Sequence, residues 1–126
     1  MKFQPDTAEG VNTITRCEPG LVRVGADNHS QSVLVPWQGA VQPWGPARVA
    51  QLTAAHFELA LSLQPELVIF GSGPRLQFIA PTLYRSLIER RIGIETMDTA
   101  AACRTFNVLA SEGRRVLAAL LLEPAA

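Results

Sequence analysis

The apolar positions of this chain change period part-way along it. Val11 to Cys17 is rich in β-branched residues, and Leu21 to Val24 gives a second short run. Glu18-Pro19-Gly20 lies between them as a turn, with proline suited to the second turn position and glycine to positive φ. Gly25 to Ser30 reads as another turn cluster, and Ser32 to Trp37 as a third strand ended by Pro36. These three runs predict an antiparallel meander. Gly39 to Pro46 is irregular and is bracketed by Trp37 and Trp44. The two indoles either seal the underside of the core or, at Trp44, anchor a partner, since tryptophan is enriched at binding hot spots.

Beyond this loop the spacing becomes helical. Thr53 is placed to cap a helix running to Gln64, with Leu52 and Phe57 as a hydrophobic staple and Pro65 as the stop. Glu66 to Phe70 is almost continuously apolar, the mark of a strand buried on both faces. Leu76 to Ile79 reads as extended chain or loop. Pro81 suits the first turn of a second helix, with Leu83, Tyr84, Leu87 and Ile88 inward and Arg90 and Arg91 at its negative end. Ile92 to Thr96 is a short strand. Asp98 or Thr99 caps a third helix, Gly113 supplies its left-handed stop, and Val116 to Leu122 follows as a central strand. A meander followed by alternating helices and strands predicts an α/β fold with helices packed on a sheet.

Length and composition narrow the picture only a little. The 126 residues suit a single domain, 1–126, with 48% apolar and 17% charged residues in ordinary globular proportion. A net charge of +0 gives no basic patch for nucleic acid. Cys17 and Cys103 are the two cysteines, without Cys-x-x-Cys or metal-ligand spacing, so a reducing, cytoplasmic setting and no metal are expected. Met1 to Gly10 carries neither an apolar leader core nor an Arg-rich presequence pattern, and Val116 to Leu122 is too short to cross a bilayer.

Chemistry, if present, belongs at the carboxyl ends of parallel strands. Two segments leave such ends, Gly71-Ser72-Gly73-Pro74-Arg75 and Met97-Asp98-Thr99. The glycine loop is either an anion nest, with Ser72 as donor and Arg75 as counter-charge, or a tight structural turn. It lacks the third small residue of a dinucleotide fingerprint and the Gly-Lys-Ser/Thr of a P-loop. No cofactor is expected. On the third helix, Ala102, Cys103, Phe106, Leu109 and Ala110 share an inward arc, while Arg104, Asn107 and Ser111 cluster elsewhere. Cys103 therefore reads as a buried thiol and Asp98 as a cap. Arg104 beside Asn107 either holds an anionic ligand or hydrogen-bonds loop carbonyls. No histidine, carboxylate pair or metal set can be assigned to this edge, which points away from an enzyme.

Glu66-Leu-Val-Ile-Phe-Gly-Ser-Gly, and then the long block from Ile92 through Met97-Asp-Thr and Arg104-Thr-Phe-Asn to Glu112-Gly-Arg-Arg-Val116, resemble a small family of unknown-function domains. Its eukaryotic members include a mitochondrial complex I assembly factor and an adipogenesis-associated cytosolic protein. The resemblance implies three layers: a central mixed sheet, helices on one side, and a β-meander and helix layer on the other, with the last strand antiparallel. It implies no established catalysis, and a role in protein assembly for the eukaryotic members. Trp44, Gly71, Gly73, Met97, Asp98, Thr99, Arg104, Thr105, Asn107, Gly113 and Arg114 match its recurrent positions, to none of which it gives a role. Ser72 replaces the commoner threonine and Phe106 the commoner tyrosine. The missing presequence pattern suggests a bacterial member. Two functions are thus expected in competition. One is a non-catalytic module that binds another protein. The other is a small anionic-ligand site or enzyme built from Gly71 to Arg75 with Asp98, Thr99, Arg104 and Asn107.

Overall fold

The continuous apolar runs become the middle of a sheet covered on both faces. The computed structural model describes residues 10–124, so the leader reading at the start of the chain falls largely outside it. A five-stranded sheet has the order β5-β4-β8-β6-β7. Its strands are β4 (Val33–Pro36), β5 (Gln42–Pro43), β6 (Leu67–Gly71), β7 (Gly93–Met97) and β8 (Val116–Leu120). β6 runs parallel to both β7 and β8, whereas β8 is antiparallel to β4. The sheet is therefore mixed: β6, β7 and β8 run one way, and β4, antiparallel to both β8 and β5, runs the other.

Strand alternation sorts the side chains into two cores. On one face Val33, Val35, Ile69, Val116, Ala118 and Leu120 meet Ala102, Cys103, Phe106 and Ala110 of α3 (Thr99–Ser111). A three-stranded antiparallel sheet covers the same core. It consists of β1 (Ile14–Glu18), β2 (Leu21–Val24) and β3 (Asp27–His29), and it contributes Ile14, Val22 and Val24. On the other face Leu34, Val68, Phe70, Leu117 and Ala119 pack against Phe57 and Ala60 of α1 (Ala54–Leu61) and Leu87 of α2 (Arg85–Glu89). Trp44 belongs to this second core. It is 4% exposed, its indole N–H donates to the His56 carbonyl at 3.0 Å, and its ring stands edge-on to Phe57 and Phe70.

The meander differs from the expected one. Its third strand is Asp27–His29, inside the predicted turn cluster, and Val33–Pro36 joins the central sheet. The physical reason is burial: Val33, Leu34 and Val35 are all buried, which an outer three-stranded layer cannot provide on both faces. Asp27 and Asn28 are polar and exposed, as an edge strand tolerates.

The helices form for local reasons. The Thr53 amide donates to His56 Nδ1 at 3.0 Å, so His56 completes the cap of α1. α1 ends at Leu61 rather than Gln64, and Gln64 takes φ 55 ahead of Pro65. Pro81–Tyr84 forms a 3-10 turn that leads into α2, whose Ile88 is 52% exposed rather than inward. Asp98 caps α3 by accepting from the Ala101 amide at 2.8 Å. At its other end Gly113 has φ 86, and the Gly113 and Arg114 amides return to the carbonyls of Ala110 and Leu109. This pair of bonds is a Schellman stop. Arg114 then pairs with Glu66, whose carboxylate also accepts from the Arg115 amide at 3.0 Å.

Candidate functional site

Gly71 pairs with both Met97 and Leu120, so the carboxyl ends of β6, β7 and β8 open at one edge. The glycine loop and the α3 N-terminus meet there in a network that links backbone to side chain. The Ser72 amide donates to the Met97 carbonyl at 2.8 Å, and the Thr99 amide to the Gly73 carbonyl at 2.9 Å. The Gly73 amide donates to Thr99 Oγ1, and that hydroxyl donates to the Leu121 carbonyl, both at 2.9 Å. Gly71 permits this closure. A β-carbon on it would lie 2.9 Å from Thr99 Cα and 2.9 Å from Thr99 Oγ1. Gly73 is needed for conformation, at φ 109.

An anion nest requires amides that point at a ligand. Here the Ser72 and Gly73 amides are bonded within the protein, and Ser72 is fully buried. The Ser72 hydroxyl donates to the Arg75 carbonyl at 2.8 Å and accepts from the Gln77 amide at 2.9 Å. It therefore shapes the segment that follows. The arrangement is that of a structural turn.

Beside it a cleft of about 340 Å³ is lined by Cys17, Glu18, Gly73, Pro74, Asp98, Thr99, Leu121, Leu122 and Glu123, among others. Of the proposed ligand set, Gly73, Asp98 and Thr99 face this cleft. Its charged lining is Glu18, Asp98 and Glu123, all acidic, so an anion entering it is repelled. Arg104 and Asn107 line a separate groove of about 250 Å³, with Thr15, Arg16, Cys17 and Cys103. Arg75 is exposed and lines neither. The residues expected around one anion are thus distributed over two depressions and a surface loop.

Asn107 has a defined structural task. Its Oδ1 accepts from the Ile14 amide and its Nδ2 donates to the Ile14 carbonyl, both at 2.8 Å. The carboxamide imitates a neighbouring strand at the edge of β1 and docks the meander on α3. Asn107→Ala will leave both Ile14 groups unpaired, at a cost of about 1–3 kcal/mol for each that stays dry. Urea denaturation measures the loss, and native-state hydrogen exchange will show the Ile14 amide opening ahead of the β6 amides. Equal protection at both sites would contradict this docking role.

Cys17, Glu18 and Glu123 line these depressions and lie outside the expected set. Cys17 and Glu18 arrive only because the meander packs on α3, a long-range event with no local signal. Cys17 and Cys103 both line the smaller groove, and both are free. The Cys103 hydrogen bond brings the Cys17 thiol down to about 7. Burial opposes this, Arg104 assists it, and Asp98 and Glu18 oppose it. Cys103 shifts strongly upward through the same hydrogen bond and through burial. Among the described residues, no group of three or more His, Cys, Asp or Glu is placed to hold a metal ion.

A mixed sheet with α3 and a small meander on one face, and α1 and α2 on the other, defines a class of α/β domain known from solved structures. A Bordetella pertussis protein described as a Mth938-like domain shares it, with a TM-score of 0.84 at 30% identity, covering 100% of this chain and 95% of that one. A crystal structure of a Bordetella parapertussis protein superposes with a TM-score of 0.86 at 37% identity, covering 92% of this chain and 99% of that one. Residues 14–121 match the family described as "Protein of unknown function (DUF498/DUF598)", and the chain belongs to that family. NADH dehydrogenase (ubiquinone) 1 alpha subcomplex assembly factor 3 of Bos taurus is 38% identical over 107 residues, covering 83% of this chain. The match covers 57% of that relative's own length. No helix among the described residues is long and apolar enough to cross a membrane.

Proposed function

We propose that this domain is a non-catalytic interaction module that binds another protein, in a cytoplasmic setting that keeps its thiols reduced. The observation that carries this reading is the segment after the glycine loop. Leu76 is 51% exposed and Phe78 is 76% exposed, two residues apart, on chain pinned by the buried Ser72 hydroxyl through Arg75 and Gln77. A large aromatic on a fixed, exposed loop costs little ordering entropy on binding and offers apolar area to a partner pocket. Ser72 and Asn107 support the same reading, because their polar groups hold backbone. The relative named as an assembly factor supports a protein partner, and an assembly intermediate of a membrane complex is the partner class this reading favours.

The double variant Leu76→Ser/Phe78→Ser tests it. Truncating a binding hot spot costs about 2 kcal/mol or more, roughly a thirtyfold loss of affinity. Cross-linking and native co-purification from the source organism will lose the partner recovered with the unaltered chain. Val108→Ser, at an exposed position of α3, will retain it. Undiminished recovery with the double variant would refute the assignment of this segment.

A further inference from the structure

The two cysteines are 3% exposed at Cys103 and half-buried at Cys17, on elements that meet only in the folded chain. β1 brings Cys17 to α3, where Cys17 and Cys103 line one groove together with Arg104. Cys17 also lines both depressions, so a small solute reaches it from either side. An accessible thiol beside a cation, with a second thiol in reach, is the arrangement of a reactive and a resolving cysteine. We infer that Cys17 and Cys103 form a hydroperoxide-reactive pair, in which Cys17 is oxidised first and Cys103 resolves it to a disulfide joining β1 to α3.

The chemistry balances with a hydroperoxide as the oxidant. The Cys17 thiolate attacks the terminal peroxide oxygen and the O–O bond breaks. The departing alkoxide, or hydroxide from hydrogen peroxide, takes up the proton that Cys17 released. Cys17 becomes a sulfenic acid as the peroxide is reduced by two electrons. Cys103 sulfur then attacks Cys17 sulfur. The S–S bond forms, the S–O bond breaks, and hydroxide leaves as water with the Cys103 proton. Two thiols and one hydroperoxide yield one disulfide, one alcohol (water when hydrogen peroxide is the oxidant) and one water. The charges facing Cys17 are Arg104 and Asp98 from the α3 side and Arg16 and Glu18 from β1. The Cys103 thiol and the Arg104 guanidinium draw the Cys17 thiol below its ordinary value, which favours its thiolate.

The purified chain treated with hydrogen peroxide tests the pair. The expected result is loss of both thiols in a monomer, with a mass lower by two hydrogen atoms, reversed by dithiothreitol. Cys103→Ser will accumulate a Cys17 sulfenic acid that dimedone traps, and Cys17→Ser will leave Cys103 unreacted. Cys103→Ala repeats the first experiment without a buried hydroxyl, and circular dichroism verifies the fold of each variant. Iodoacetamide labelling of Cys17 in the unaltered chain will reach half its maximal rate near pH 7. Retention of both thiols, disulfide-linked dimers in place of the monomer, dimedone on Cys103 in Cys17→Ser, or labelling that is half-maximal at an ordinary thiol value would each overturn the proposal.

Discussion

Replacing Phe70 with alanine will lower the unfolding free energy by about 3–5 kcal/mol, the range for removing a buried aromatic ring. Phe70 is fully buried in β6 and stands edge-on to Trp44 at 6.1 Å and to Phe57 at 5.8 Å. These three rings join the sheet to the loop before α1 and to α1 itself, so the cavity left behind is bounded by elements that cannot all move inward together. Urea denaturation will show a lower midpoint with an unchanged slope. Val108→Ala, at a position 56% exposed, will stay within about 0.5 kcal/mol of the unaltered protein. A Phe70→Ala loss below about 1 kcal/mol would mean that the aromatic cluster does not hold this face together.

Thr99→Val will be the most costly change at the strand ends. Valine keeps the shape of threonine but removes the hydroxyl that accepts from Gly73 and donates to Leu121. Both bonds are buried, and each backbone group left unpaired costs about 1–3 kcal/mol. Thr99→Ser retains the hydroxyl and will recover most of that loss. Faster hydrogen exchange at the Gly73 amide in the valine variant alone will locate the damage. If serine destabilises as much as valine, the side-chain methyl rather than the hydroxyl carries the effect.

The parts of the fold that were legible in the sequence are those dictated locally. Val68-Ile69-Phe70 and Val116 to Leu120 are apolar without interruption, which is possible only for strands covered on both faces, and both are central. Asp98 and Gly113 bound α3 because cap chemistry is confined to one turn. Strand partnership was not legible. Whether Val33–Pro36 pairs with the meander or with β8 depends on a surface formed more than eighty residues later, and no local pattern records that choice. The candidate site shows the same division. The parallel run of β6 and β7 brings the glycine loop to Asp98 and Thr99, as the strand order implied. Helical spacing put Arg104 and Asn107 on one side, but the edge of β1 that occupies Asn107 comes from the opposite end of the chain. The proximity of Cys17 to Cys103 follows from that docking and had no signal of its own.

β8 stands between β4 and β6, yet it follows every other strand among the described residues. A nascent chain that has reached Arg115 therefore holds β4 and β6 with no sheet neighbour between them. Val33 must wait for Leu120, and the wait is paid for in loop-closure entropy before any contact rewards it. Synthesis will thus leave the five-stranded sheet open and aggregation-exposed until β8 has left the ribosome, and β4 and β6 will be joined only then.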